Sequence, residues 1–161
     1  MKNLVMLLCV SAILSACGGG AGSDVKAPDP YDATKNTTTS SGENPSYDPE
    51  RGEGKFKNVE VPKNLNATLA ENGNKVFGVK CSSCHKLTDE KLVGPGWKGV
   101  TTRKKAEWIM NFITNTDAML NKDPEAQAQL EICLVRMPNQ NLSDDDARAI
   151  YEFMRKNDGV K

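Results

Sequence analysis

Five consecutive residues, Cys81-Ser82-Ser83-Cys84-His85, bring two thiols and an imidazole close together in the chain. One helical turn separates the cysteines, so both can reach the same edge of a porphyrin. A C-x-x-C-H run is the attachment signature of c-type haem. The thiols add across the vinyl groups as thioethers, and the adjacent histidine binds the iron axially. Two other chemistries use similar residues. A redox-active C-x-x-C expects a βαβ context, whereas the flanking sequence reads helical. A Cys₃His zinc site would recruit Cys133, but adjacent Cys and His ligands suit a tetrahedron poorly, and a second C-x-x-C is missing.

Composition narrows the choice. The chain has 161 residues, 38% of them hydrophobic and 6% aromatic, which is enough for one small domain with appendages. His85 is the only histidine, so no His-pair metal site or Ser-His-Asp triad can be built within one chain. Basic and acidic residues balance at 21 each, which argues against a nucleic-acid partner. The five cysteines do not form a paired disulfide framework. There is no internal repeat and no second C-x-x-C-H, so the haem count is one.

Upstream, Met1-Lys2-Asn3 and the apolar run Leu4 to Leu14 read as a signal peptide over residues 1–16, too short in its apolar part for a permanent span. Leu14-Ser15-Ala16-Cys17 resembles the bacterial lipobox, which makes Cys17 a lipidated N-terminus after cleavage and removes Cys9. The other reading is a plain secretory signal with Ala-x-Ala-like cleavage. Export agrees with haem attachment outside the cytoplasm. Residues 17–53, rich in Gly, Ser, Thr, Asn and Pro, read as a flexible tether reaching about 35 Å. Its role is either a swinging arm or a spacer that clears the lipid layer. Residues 54–161 are the expected haem domain, opening with an extended arm from Gly54 to Leu65 that ends near Pro62.

The elements that must position the motif are helices. Asn66 or Thr68 can cap a helix to about Lys80, with Leu69, Gly73, Val76 and Phe77 on one face. Gly73 costs about 1 kcal/mol against Ala in a helix interior, so it marks a close approach of another element. A second helix is predicted from Thr102 to about Asn115, with Ala106, Ile109, Phe112 and Ile113 on its apolar stripe and Trp108 and Met110 off it. Asp123-Pro124-Glu125 starts a third, running to about Val135 through Cys133, which reads as a small buried core residue. Ser143 caps the last helix, with Asp144 to Asp146 on its positive dipole end. Ala147, Ile150, Tyr151, Phe153 and Met154 form its buried side. Arg155 and Lys156 suit its C-terminal end, and Gly159 stops it.

Gly73, Phe77 and Cys81, each four residues apart and leading into C-x-x-C-H, resemble the class I cytochromes c. Gly94-Pro95-Gly96 resembles the proximal Gly-Pro loop of that family, and Met137-Pro138 before the capped last helix resembles its sixth-ligand pattern. The resemblance covers about Asn66 to Asn157. It implies an all-α class I cytochrome c fold, with about four to five helices wrapped around one covalently bound haem c. By the same resemblance, Phe153 packs against Gly73, and the Pro95 carbonyl accepts a hydrogen bond from His85 Nδ1. Arg103 meets a haem propionate, where the alternative is an exposed helix-start charge. Phe112 covers the distal side, and Trp97 packs at the haem edge or within the loop.

The implied axial pair is His85 and Met137, with Met119, expected in a loop, as the rival ligand. The extra helical stretch from Asp123 to Val135 departs from the family pattern and keeps that rival open. Glu107-Trp108-Ile109-Met110-Asn111 and Met137 to Leu142 also resemble small lipoprotein cytochromes c encoded near nitrous oxide reductase. The implied function is a membrane-anchored, periplasm-facing one-electron carrier rather than an enzyme. It would serve redox partners such as a respiratory reductase or oxidase and a quinol-oxidising complex. Lys80, Lys86 and Lys98 are either steering charges for an acidic partner or an ordinary solvated face. The alternative function is a five-coordinate haem gas sensor or peroxidase-like enzyme. A third reading is a zinc-binding or purely structural lipoprotein.

Overall fold

The computed structural model describes residues 47–161. The signal peptide, Cys9, Cys17 and most of the tether lie outside the described residues. Six helices follow in order: α1 (Ala67–Lys80), α2 (Val100–Arg103), α3 (Ala106–Thr114), α4 (Thr116–Lys122), α5 (Pro124–Cys133) and α6 (Asp144–Asn157). No strand occurs among the described residues. The all-α expectation therefore holds, with six helices, the short α2 and α4 among them, against the four or five expected.

The first and last helices form the centre. Asn66 caps α1 by accepting the Leu69 N–H at 3.0 Å. Ser143 and Asp146 form a reciprocal capping box on α6, satisfying donors that a helix start leaves unpaired. The two helices cross at Gly73. A Cβ there would lie 2.5 Å from the Ala149 carbonyl carbon and 2.8 Å from Phe153 Cβ, so only glycine permits the approach. One turn further along, the Phe77 and Phe153 rings meet with centroids 5.5 Å apart. Ile150, Ala147, Met154 and Tyr151 continue the buried face, as their spacing predicts.

The helix expected from Thr102 to Asn115 is two helices. Lys104 adopts an extended backbone (φ −128°, ψ 140°) and breaks it. The Lys104 ammonium pairs with Glu125 and lies 4.4 Å from the Trp108 ring centroid. Trp108 and Met110, expected off the apolar stripe, are both buried. At Trp108 the cause is a second layer: the segment before α1 lies over α3, and a Cβ on Gly52 would touch Trp108. Met119 lies in α4 rather than a loop. Asp123 caps α5 through the Ala126 N–H at 2.7 Å, with Pro124 following as its spacing implies. That helix ends at Cys133 because Leu134 turns left-handed at φ 60°.

The extended arm begins upstream of Gly54, inside the stretch read as tether. The Tyr47 hydroxyl donates to the buried Asp123 carboxylate, which also accepts Trp108 Nε1–H at 2.9 Å. Asn111, fully buried on α3, acts as a surrogate strand partner. It accepts the Phe56 N–H at 2.9 Å and donates to the carbonyls of Arg51 and Phe56 at 3.0 and 2.9 Å. Further on, the Val59 N–H meets the Glu107 carboxylate at 2.7 Å, and Arg148 donates to the Glu60 carbonyl at 2.9 Å. Arg155 does not sit at a solvated helix end. It is buried, pairs with Glu152 at 2.8 Å and donates to the Pro62 carbonyl at 2.7 Å. Glu152 in turn accepts the Asn66 N–H at 2.7 Å. An arm too polar to bury itself is thus held by side chains that satisfy its backbone.

Two outcomes follow. Propensity alone predicts that Gly73→Ala gains about 1 kcal/mol, but the blocked crossing should outweigh it and leave a net loss of about 2 kcal/mol in denaturant unfolding. Asn111→Ala should cost about 3 kcal/mol by stranding one arm N–H and two carbonyls. Hydrogen exchange should then speed up at Phe56 more than in α1.

Candidate functional site

The last turn of α1 tightens into the attachment loop. The Cys81 N–H and Ser82 N–H both reach the Phe77 carbonyl, at 2.9 and 3.0 Å. The Cys84 N–H and His85 N–H both reach the Cys81 carbonyl, at 3.0 and 2.9 Å. Cys81 is buried, while Cys84 and His85 are half-buried, and neither thiol is in a disulfide. Burial pushes the Cys81 thiol up to about 11, against a downward pull from Lys80. In the chain before attachment it is therefore an uncharged thiol at neutral pH, the opposite of the low-pKa thiolate that a redox C-x-x-C requires.

The His85 ring is fixed from one side. Its Nδ1 lies 2.8 Å from the Pro95 carbonyl oxygen. A carbonyl only accepts, so Nδ1 carries the proton and Nε2 keeps its lone pair. Burial lowers the ring's proton affinity below the ordinary histidine value, only partly opposed by the Pro95 bond, so His85 is neutral at pH 7. Gly94 leaves the ring its space: a Cβ there would lie 2.8 Å from Nδ1 and 2.9 Å from Nε2. Gly94 is itself held by its N–H to the Cys84 carbonyl at 2.8 Å. Trp97 is buried between Phe77 (4.8 Å between centroids) and His85 (5.6 Å), closing the loop over the ring.

Two thiols at the end of one helix, a neutral imidazole with Nε2 available and a glycine cradle fit a covalently attached haem. A zinc site is not assembled: among the described residues no three His, Cys, Asp or Glu side chains gather around a metal position.

The candidate distal ligands differ sharply. Met119 is fully buried, and its sulfur accepts the Glu53 N–H at 3.0 Å under Gly52. Met137 is half-buried in the non-helical segment between α5 and α6 and packs against the core. That segment is tied to the attachment site, because Lys80 Nζ, next to Cys81, donates to the Gln140 carbonyl at 2.9 Å.

The family model for cytochrome c matches residues 70–158, from α1 through the end of α6. The chain belongs to the cytochrome c family. It is similar to a solved cytochrome c from Rhodothermus marinus at 32% identity and a TM-score of 0.63, over 65% of this chain and 90% of that one. An engineered cytochrome c from the same organism, Rma TDE, aligns at 32% identity and a TM-score of 0.65, over 69% and 98%. A further structure of that engineered protein holds a carbene intermediate. No curated protein matches the sequence. The fold is that of a class I cytochrome c, and the protein is a haem-bearing electron-transfer protein with one covalently bound haem c.

The remaining expected site residues of this cytochrome c fall as follows. Arg103 is exposed, and its Nη1 donates to the Lys98 carbonyl at 2.8 Å, folding over Gly99. Lys86 pairs with Glu90 at 2.6 Å, and Lys98 lies 3.6 Å from Asp89. Phe112 is half-buried and stacks on Trp108 at 5.2 Å. Cys133 is not a core residue. It is half-buried at the end of α5, where burial raises its thiol pKa.

Sequence reasoning missed the Lys80 latch and the role of Asn157 and Asp158, which bind the loop carrying Pro95. Asp158 did leave a signal: an acid at the C-terminal end of a helix opposes the helix dipole.

Gly94→Ala should displace the His85 ring while leaving both cysteines in place. The expected result is haem attached through thioethers, seen by mass, with an optical spectrum showing loss of normal His ligation.

Proposed function

We propose that this cytochrome c is a membrane-anchored, periplasm-facing one-electron carrier whose axial ligands are His85 and Met137. The observation that carries this reading is the contrast between the methionines. The Met119 sulfur is spent on the Glu53 N–H inside the core, while Met137 lies in a loop latched to the helix that bears Cys81.

Bound through Cys81 and Cys84, haem c supplies a one-electron ferric/ferrous couple. The chain's own residues set its environment. The Pro95 carbonyl holds the Nδ1 proton of His85, which orients the ring and strengthens Nε2 as a donor. The Met137 thioether would supply a soft ligand, which favours the reduced state. With His85 and Met137 both held on the iron, no position would be left for a substrate. Arg136, the cation nearest Met137 in sequence, binds the Asp117 carboxylate at 3.0 Å and Asn121 at 3.1 Å, which supports a carrier over a peroxidase-like site. Arg103 remains the candidate for a propionate.

Exposed Leu92 and Val93 follow the attachment loop, and exposed Ile132, Leu134 and Val135 precede Met137. Lys91 joins the two groups by donating to the Ile132 carbonyl at 3.1 Å. Apolar side chains at such a rim favour brief docking of a redox partner. The partners proposed are a quinol-oxidising complex as donor and a respiratory reductase or oxidase, including nitrous oxide reductase, as acceptor. Lipidation at Cys17 and the tether would keep the domain near either one.

The test is an optical spectrum of the protein matured with c-haem assembly machinery, for wild type, Met137→Ala and Met119→Ala. The ferric wild type should show the weak long-wavelength band of sulfur ligation, lost in Met137→Ala and kept in Met119→Ala. A high-spin ferric wild type would instead support the sensor or peroxidase reading.

A further inference from the structure

The loop that carries Pro95 leaves the attachment motif and returns through a narrow neck. At that neck the Trp97 N–H reaches the Lys86 carbonyl at 2.9 Å, and the Lys98 N–H reaches the Thr88 carbonyl at 3.3 Å. Two adjacent residues at the end of α6 bind both sides of it. Asn157 Nδ2 donates to the Leu87 carbonyl at 3.0 Å on the outgoing side. On the returning side the Asp158 carboxylate accepts the Gly99 N–H at 2.5 Å, the Thr101 N–H at 2.8 Å and the Thr101 hydroxyl at 2.7 Å. Arg103 closes the same turn through the Lys98 carbonyl.

An acid at the C-cap of α6 opposes the helix dipole, so its position is unfavourable for α6 itself. Three donors converging on one carboxylate offset that cost, because hydrogen bonds to an ionised acceptor are the stronger kind. The benefit falls on the loop. Helix α6 is locked to α1 at Gly73, and α1 delivers Cys81 and the His85 turn. The neck is therefore referenced to the same rigid pair that places the imidazole.

We propose that Asn157 and Asp158 are positioning residues for His85: by clamping the neck they hold the Pro95 carbonyl against the Nδ1 proton. This rests on His85 being the proximal ligand. A loosened neck lengthens the Nδ1–H···O bond, makes the imidazole a weaker donor and raises the reduction potential.

The experiment uses full-length protein carrying haem: wild type, Asp158→Asn, Asp158→Ala, Asn157→Ala and Ile113→Val. The last removes one methylene from the buried face of α3 and serves as a stability control. Two quantities are read, the midpoint potential and the exchange rate of the His85 Nδ1 proton in the ferrous protein by NMR. Asp158→Ala should speed that exchange roughly tenfold or more and move the potential upward, with Asp158→Asn and Asn157→Ala between it and wild type. Ile113→Val should lose stability and change neither. If Asp158→Ala does not retain haem, the two milder variants decide. Variants that lose stability yet keep the wild-type exchange rate and potential would overturn the clamp alone. A wild-type protein whose iron binds no imidazole would overturn the ligation reading and the clamp with it.

Discussion

The contact between Gly73 and the backbone of Ala149 fixes the rest of the domain. Because no side chain separates α1 from α6 there, Phe77 and Phe153 come into register beyond it, and the end of α1 is held where it delivers Cys81. The end of α6 is fixed by the same contact, and it grips the loop that bears Pro95. The attachment cysteines and the carbonyl that orients His85 thus share one reference. Interiors packed this closely transmit displacement instead of absorbing it.

Around that pair the structure solves a shortage. A small domain buries too little apolar surface to be generous with stability. Here the arm from Tyr47 to Asn66 adds a second layer over α3 and α4, yet it is polar and has no strand partner. Buried Asn111, Glu152 and Arg155 take up its backbone hydrogen bonds, as a sheet edge would do elsewhere, and Asp123 holds the Tyr47 hydroxyl. Closing the arm over Met119 also engages its thioether with the Glu53 N–H.

Much of this was legible in the sequence because it rests on local spacing. Gly73, Phe77 and Cys81 repeat at helical intervals, and the caps at Asn66, Asp123 and Ser143 announce themselves by residue type. The Pro95 partner of His85 followed from family resemblance and stands in the structure at hydrogen-bond distance. What was not legible depends on contacts distant in sequence. Trp108 fell off the apolar stripe because its cover comes from a segment read as tether. Met119 looked like a loop residue because α4 is short and gains its stability from the arm. Arg155 looked like an end-of-helix charge, and only the fold shows the backbone groups it satisfies.

His85 and Met137 are the proposed ligands of the iron. Proton NMR of the ferrous, haem-loaded protein tests this pairing most directly, because a methionine methyl bound to iron lies in the strong shielding field of the porphyrin ring. A single strongly shielded methyl resonance is expected, assigned to Met137 by its absence from Met137→Leu. A shielded methyl that persists in Met137→Leu and vanishes in Met119→Leu, or no shielded methyl at all, would contradict the pairing.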